Sequence, residues 1–244
     1  MKPEIEKLLN HTSIRKYKDK AVEEDKKDII IRSSQMAPTS SHYQSYSIIE
    51  IKKQKTRKML KEISGGQKWV VEAPLVLLYC VDLHRAEKYF EEVDSDALSN
   101  LEYYTVAVTD AALAAQKALI TAQLLDLGGV FVGGIRNDVD RICQDLKLPD
   151  KVAPLFLLCL GYPDQEVQIK PRLPKEEILK QDYYEDDNQD EIVEKYNKEV
   201  KNYYMDRTEG KINETWTQRC GKAQSAKKRY NVGECFRRKG LAKK

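Results

Sequence analysis

Several kinds of segment are missing from this 244-residue chain. No stretch is long and apolar enough to cross a bilayer, and the opening Met1-Lys-Pro-Glu-Ile-Glu lacks the apolar core of a secretion signal. The chain is therefore expected to be cytoplasmic, with no membrane partner. No internal repeat or low-complexity tract occurs. There is no GxSxG elbow, no Walker loop and no GxGxxG. The three histidines, His11, His42 and His84, have no metal-ligand spacing. The five cysteines (Cys80, Cys143, Cys159, Cys220, Cys235) are odd in number and form no CxxC pair, so they read as free thiols without a zinc site. A formal charge of +3 is too balanced for a general nucleic-acid binder. The basic runs Lys227-Lys228-Arg229 and Arg237-Arg238-Lys239 read as solvated charge, and no nucleic-acid partner is expected. Nothing resembles an acid–base or nucleophile apparatus. No catalytic side chain is expected, so any reaction would be carried by a cofactor.

What is present centres on residues 104–137. Val106–Leu127 is nearly apolar on every side and rich in alanine and leucine, which predicts a buried helix. Asp110, Gln116, Lys117 and Gln123 would be costly in hydrocarbon, which excludes a membrane span. Gly128-Gly129 is expected to end the helix, one glycine taking the left-handed cap. Val130-Phe131-Val132 follows as a short buried strand, then a second pair, Gly133-Gly134. Two glycines leaving a buried strand fit either a tight turn or close approach to a flat or phosphorylated ligand.

Elsewhere Ile5, Leu8 and Leu9 share one face of an opening helix, and Ile14–Tyr17 alternates like a brief strand or extended segment. Val22–Ser34 reads as an amphipathic helix with Ile29, Ile30 and Ile31 inward. Strands are expected at Tyr46–Ile51, Leu75–Val81 and Pro154–Leu160, the second buried on both faces. Helices are expected at Lys55–Ile63, at 138–146 behind an Asn137 cap, and from Glu191, where Ile192, Tyr196, Val200 and Tyr203 recur at helical spacing. Elements alternate only loosely, which points to an α+β fold with a mixed sheet between helices. The length suits a single domain, with a core over about 1–165 and an extension over about 166–244. The polar, basic Thr208–Lys244 cannot build its own core, so it should pack on this subunit's body or on a second copy.

Three donor sets stand out. His11, Ser13 and Arg15 offer an imidazole, a hydroxyl and a guanidinium on one side of an extended segment. Lys170-Pro171-Arg172 holds two cations two residues apart. Thr39-Ser40-Ser41, with Gln44, lines up hydroxyl and amide donors before a strand. Each fits anion or carbonyl binding. Each also has a plainer reading as a capped loop, an exposed basic loop or turn chemistry.

Taken in order, His-Thr-Ser-Ile-Arg (11–15), Ala-Pro-Thr-Ser-Ser-His-Tyr-Gln (37–44), Gly-Gly-Gln-Lys (65–68), Gly-Gly-Val-Phe-Val-Gly-Gly-Ile-Arg-Asn (128–137) and Lys-Pro-Arg-Leu-Pro (170–174) resemble the FMN-dependent nitroreductases, in the flavin reductase P / NADPH-oxidoreductase branch. The likeness spans the chain. It implies an intertwined homodimer with exchanged C-terminal arms and an FMN at each interface. His11, Thr12, Ser13, Lys170 and Arg172 would surround the FMN phosphate and ribityl chain, and Arg15 the pyrimidine edge, where reduction places negative charge. Thr39, Ser40 and Ser41 would approach from the other subunit, Gln67 would bond to the ring edge, and Phe131, Val132, Gly133 and Gly134 would lie along the ring. Arg207 and Lys211 would bind NADPH. Thr12 stands where relatives often have arginine, which shifts phosphate gripping toward Lys170 and Arg172. Ile212 beside Lys211 leaves NADPH against NADH open. The implied activity is NAD(P)H oxidation with ping-pong hydride transfer to small-molecule acceptors: nitroaromatics, quinones or free flavin. Reductive dehalogenation and flavin destruction are the alternatives on this fold, and no substrate lid for either is recognisable in Asp82–Asn100.

Overall fold

The continuous apolar run near residue 78 forms a central strand whose every residue is buried, and the rest of the first unit is built on it. The computed structural model describes residues 1–227 and 229–243; Lys228, in the basic run noted above, and Lys244, the last residue of the extension, lie outside the described residues. The chain divides into two compact units, Met1–Val167 with Arg229–Lys244, and Gln168–Lys228.

In the first unit the elements are α1 (Pro3–Leu9), α2 (Glu24–Gln35), β1 (Tyr46–Glu50), α3 (Gln54–Ile63), α4 (Trp69–Glu72), β2 (Leu75–Asp82), α5 (His84–Tyr89), α6 (Leu101–Leu124), β3 (Gly128–Val132), α7 (Val139–Asp145) and β4 (Val152–Gly161). Among the described residues the strands form one sheet in the order β1-β2-β4-β3, and every pair is antiparallel. The expected mixed sheet is thus corrected. A parallel pair needs a crossover that returns the chain to the end it started from, and these connections bring it back from the opposite end.

Helix α6 packs against all four strands and against α2. Ser34 on α2 donates to the Ala114 carbonyl at 2.9 Å, and Ser33 meets Thr121 at 2.6 Å. Six alanines of α6 (Ala107, Ala111, Ala114, Ala115, Ala118 and Ala122) are buried on the faces that meet these elements, where small side chains allow close approach, while Ala112 is exposed. Burial on every side is not observed: Leu113 is 43% exposed and Leu124 41%. Sheet and α2 cover part of the circumference, and a single chain leaves the rest open. Helix α1 likewise buries none of Ile5, Leu8 or Leu9. On α2 only Ile30 of the three isoleucines is fully buried, and Ile29 is exposed, because successive helical residues turn by about 100° and cannot all face inward.

Two local expectations are corrected. Asp126, at φ 62°, takes the left-handed position after α6, not a glycine. Gly128 and Gly129 sit inside β3, where a Cβ on Gly128 would overlap Ile14 and one on Gly129 would stand 2.5 Å from Leu160 Cδ2. Asp138, not Asn137, caps α7: its carboxylate accepts from the Arg141 amide at 3.1 Å, while Asn137 donates to the Ile63 carbonyl at 2.8 Å. The segment 14–17 forms no ladder. It is extended and held by the Ile14 amide on the Gly129 carbonyl (3.0 Å) and by a bridge from Tyr17 to Pro163.

In the second unit an extended stretch precedes α8 (Lys175–Ile178), α9 (Gln189–Arg207) and α10 (Trp216–Ala226). Tyr196 and Val200 on α9 are buried, and the Tyr196 and Trp216 rings meet at 5.5 Å. Thr215 and Gln218 form a reciprocal capping box at the start of α10. The chain then returns to the first unit as α11 (Asn231–Arg238). There Phe236 and Leu241 enter the core and the Phe236 ring lies 5.5 Å from Tyr104, so this part of the tail packs on its own subunit's body. The cysteines are free thiols, four of them buried and Cys220 exposed.

Candidate functional site

The sheet end at β3 gathers much of the donor set. The Ile14 bond to Gly129 lays residues 11–15 beside β3, and the His11 Nδ1 lies 3.1 Å from Gln123 Nε2 on α6. The Arg15 guanidinium stands over the Trp69 ring of α4, 5.5 Å from its centroid. Gln67 donates to the Ser64 carbonyl at 2.8 Å, and its amide packs on Gly134. Gly133 and Gly134 open a 3-10 turn, Gly133–Asn137, directly after buried Val132. A Cβ on Gly134 would stand 2.6 Å from Gln67 Nε2 and 2.8 Å from the Ser64 carbonyl, so the protein's own packing already requires glycine there. Phe131 points outward, edge-on to Phe156 at 5.4 Å.

One atom of this cluster is out of balance. Trp69 Nε1 is fully buried and has no acceptor among the described residues. An unpaired buried donor costs about 1–3 kcal/mol. The exposed Arg15 guanidinium above the same ring adds a positive charge and further donors.

Thr39, Ser40 and Ser41 lie elsewhere. Their loop is fixed on α6 by Asp110, which is 1% exposed and accepts the Ser40 and Ser45 amides, each at 3.1 Å. His11 meets α6 at Gln123, thirteen positions from Asp110. At 1.5 Å per residue the two contacts are roughly 20 Å apart along one helix. Within one chain the 39–41 loop and the 11–15 segment therefore attach to opposite parts of α6.

The second unit carries the other cations. Arg172 folds back to donate to the Lys170 and Pro171 carbonyls at 2.6 and 3.3 Å, and Tyr196 donates to the same Pro171 carbonyl at 3.0 Å. Lys170 Nζ lies 5.6 Å from the Tyr204 ring centre and the Arg219 guanidinium 4.0 Å from it. Burial disfavours the Tyr204 phenolate, but the Lys170 hydrogen bond and the two cations outweigh it and bring the hydroxyl pKa below its ordinary value. Arg207 is exposed and donates to the Tyr203 hydroxyl at 2.9 Å; Lys211 is exposed beyond Gly210.

Two residues escaped sequence reasoning. Trp69 lies two positions after Gln67, which was the only available signal. Asp110 is an acid inside a mostly apolar stretch, a pattern that counts against a membrane span but also marks a buried acceptor.

A model of the "Nitroreductase family" matches residues 8–162, and one of the "Nitroreductase family, C-terminal domain" matches residues 170–244. The chain belongs to the nitroreductase family. Among nitroreductase relatives, the "FMN reductase (NADPH)" of Bacillus subtilis is 36% identical over 244 residues and is covered to 98%, as is this chain. The solved NfrA1 nitroreductase of B. subtilis superposes with a TM-score of 0.95 at 35% identity, over 99% of this chain and 100% of that one. The NADPH:FMN oxidoreductase of Vibrio harveyi, complexed with NAD+, gives 0.87 at 30% identity, over 99% of each chain. These nitroreductases are similar to the present chain along its whole length, including both units.

Proposed function

We propose that this nitroreductase is an FMN-dependent NAD(P)H oxidoreductase of the cytoplasm, reducing nitroaromatics, quinones or free flavin by ping-pong turnover. The FMN reductase and NADPH:FMN oxidoreductase activities of those relatives support the reading. When bound, FMN would supply the redox chemistry, taking a hydride from the nicotinamide and delivering it to the second substrate. The chain's own residues bind, orient and tune. His11, Thr12, Ser13, Lys170 and Arg172 would hold the phosphate and ribityl chain. Gln67 and residues 131–134 would line the ring. Arg15 brings the positive charge that suits a reduced, anionic flavin. Arg207 and Lys211 would take the extra phosphate of NADPH.

The observation that carries the reading is the Arg15 guanidinium over the Trp69 ring, on the segment that the Ile14–Gly129 bond holds beside β3. The separation along α6 favours a homodimer, because Thr39, Ser40 and Ser41 can then serve the flavin of the other copy. The exposed flank of α6 at Leu113 and Leu124, together with uncovered α1, offers apolar surface for that contact. Both matched stretches would act as one nitroreductase domain, with part of residues 166–244 wrapping the partner.

Purified protein should be yellow, should release FMN on denaturation, and should oxidise NADPH when nitrofurazone is added. Protein that stays colourless through an FMN titration ends this reading.

A further inference from the structure

We propose that Asp110 is a positioning residue for the flavin site, acting by locking the 39–45 loop in a shape that free chain avoids. The inference rests on the reading that this loop serves a flavin.

The loop carries three non-glycine residues in the left-handed region: Ser41 at φ 45°, His42 at 59° and Gln44 at 53°. Such conformations are disfavoured for residues with a Cβ and persist only where the surroundings over-determine them. Here the restraints are visible. The Asp110 Oδ1 accepts from the Ser40 amide and Oδ2 from the Ser45 amide, each at 3.1 Å, so one carboxylate bridges the two ends of the strained segment. Arg85 holds its far side, donating to the Gln44 carbonyl at 2.9 Å and to the Tyr46 carbonyl at 2.5 Å. Both Asp110 oxygens are thus occupied by backbone N–H groups, and the carboxylate is 1% exposed. A buried carboxylate is costly unless such donors surround it. Its place on α6, the most extensively packed helix, gives the loop a rigid anchor. Between loop and helix lies an open recess of about 340 Å³ lined by Thr39, Ser40, Thr105, Thr109, Asp110 and Leu113. The hydroxyls of Thr39 and Ser40 are therefore presented over a cavity, on a backbone held by Asp110.

The consequence is preorganisation: the loop keeps its shape before any flavin arrives. Hydrogen exchange of wild-type protein tests this without a variant. The Ser40 and Ser45 amides should be protected equally in the apoprotein and in the FMN-loaded protein. Amides that exchange freely until FMN is added would overturn the inference, because the flavin and not Asp110 would then order the loop.

The second arm uses Asp110→Asn, which keeps the side chain's shape and loses its charge. Exchange should quicken at Ser40 and Ser45 but not in β2 or β4, and the FMN Kd should rise about tenfold. In a Thr39→Ala/Ser40→Ala/Ser41→Ala background, itself weakened in FMN binding, adding Asp110→Asn should change the Kd less than twofold. Faster exchange with an unchanged FMN Kd overturns the positioning role. A triple-alanine protein that binds FMN like wild type overturns it too, but for a different reason: it removes the loop hydroxyls from the flavin site.

Discussion

The Arg15 guanidinium lies 5.5 Å from the centroid of the Trp69 ring, whose buried Nε1–H finds no acceptor among the described residues. The pair joins a positive charge to an unmet donor at one end of the sheet. Trp69→Phe keeps an aromatic surface under Arg15 and deletes only the donor. The donor has no accessible surface, so its loss should change the FMN Kd less than twofold. The gain in Tm on FMN saturation should likewise be kept. A Kd raised fivefold or more in a fluorescence titration would mean that flavin binding exposes the N–H.

The cations should divide their labour. Arg15→Ala is expected to slow flavin reduction by NADPH, read by stopped flow, more than it loosens FMN, because its charge matters most once the flavin is anionic. Lys170→Ala combined with Arg172→Ala should instead yield protein that loses FMN on gel filtration. Equal FMN loss in the two proteins would contradict the split.

Arg207 is exposed and oriented by the Tyr203 hydroxyl. Arg207→Ala should raise KM for NADPH about tenfold with little change for NADH, since only NADPH carries the extra phosphate. Steady-state kinetics with both nucleotides decides this, and an unchanged NADPH KM removes Arg207 from the site.

One surface cluster should mark the acid side of the stability profile. The Tyr162 hydroxyl, the backbone and Lys20 all hydrogen-bond the Glu23 carboxylate, lowering its pKa from the ordinary 4.5 to about 2. A folded pKa below the unfolded value stabilises above the unfolded pKa and loses that contribution as pH falls through the folded one. Wild type should therefore be more stable than Glu23→Gln by a constant margin from pH 7 to about 5, and the margin should shrink between 4.5 and 2. Urea titrations at pH 7, 4.5 and 3 would show it. A margin that does not change over this range would mean that the cluster does not act through the carboxylate.

Much of this architecture was readable in the linear chain, for reasons that differ by element. β2 was plain because a strand buried on both faces must be apolar throughout, and α6 because alanine and leucine fill it without a proline. Its cap was misread: glycine at 128 suggested a left-handed turn, yet the pressure for glycine there is steric, from Ile14, more than a hundred residues away in sequence. The same limit hid Asp110, whose partners Ser40 and Ser45 lie 70 and 65 positions off. Placing three successive isoleucines inward ignored the roughly 100° step of the helix: Ile30 is buried, Ile31 packs partly buried against the core, and Ile29 is exposed. The five ordered motifs pointed to the family, while the orphan donor of Trp69 became visible only with burial known.

The roughly 20 Å of α6 between its contact to the 39–45 loop and its contact to His11 carries a genetic corollary. Where every flavin draws one wall from each of two polypeptides, two different cripples can cure one another. Chains broken at Arg15 and chains broken at Ser40 and Ser41, unfolded together and refolded as mixed pairs, should regain one sound site per pair, with both defects confined to the other. Neither parent alone could do so.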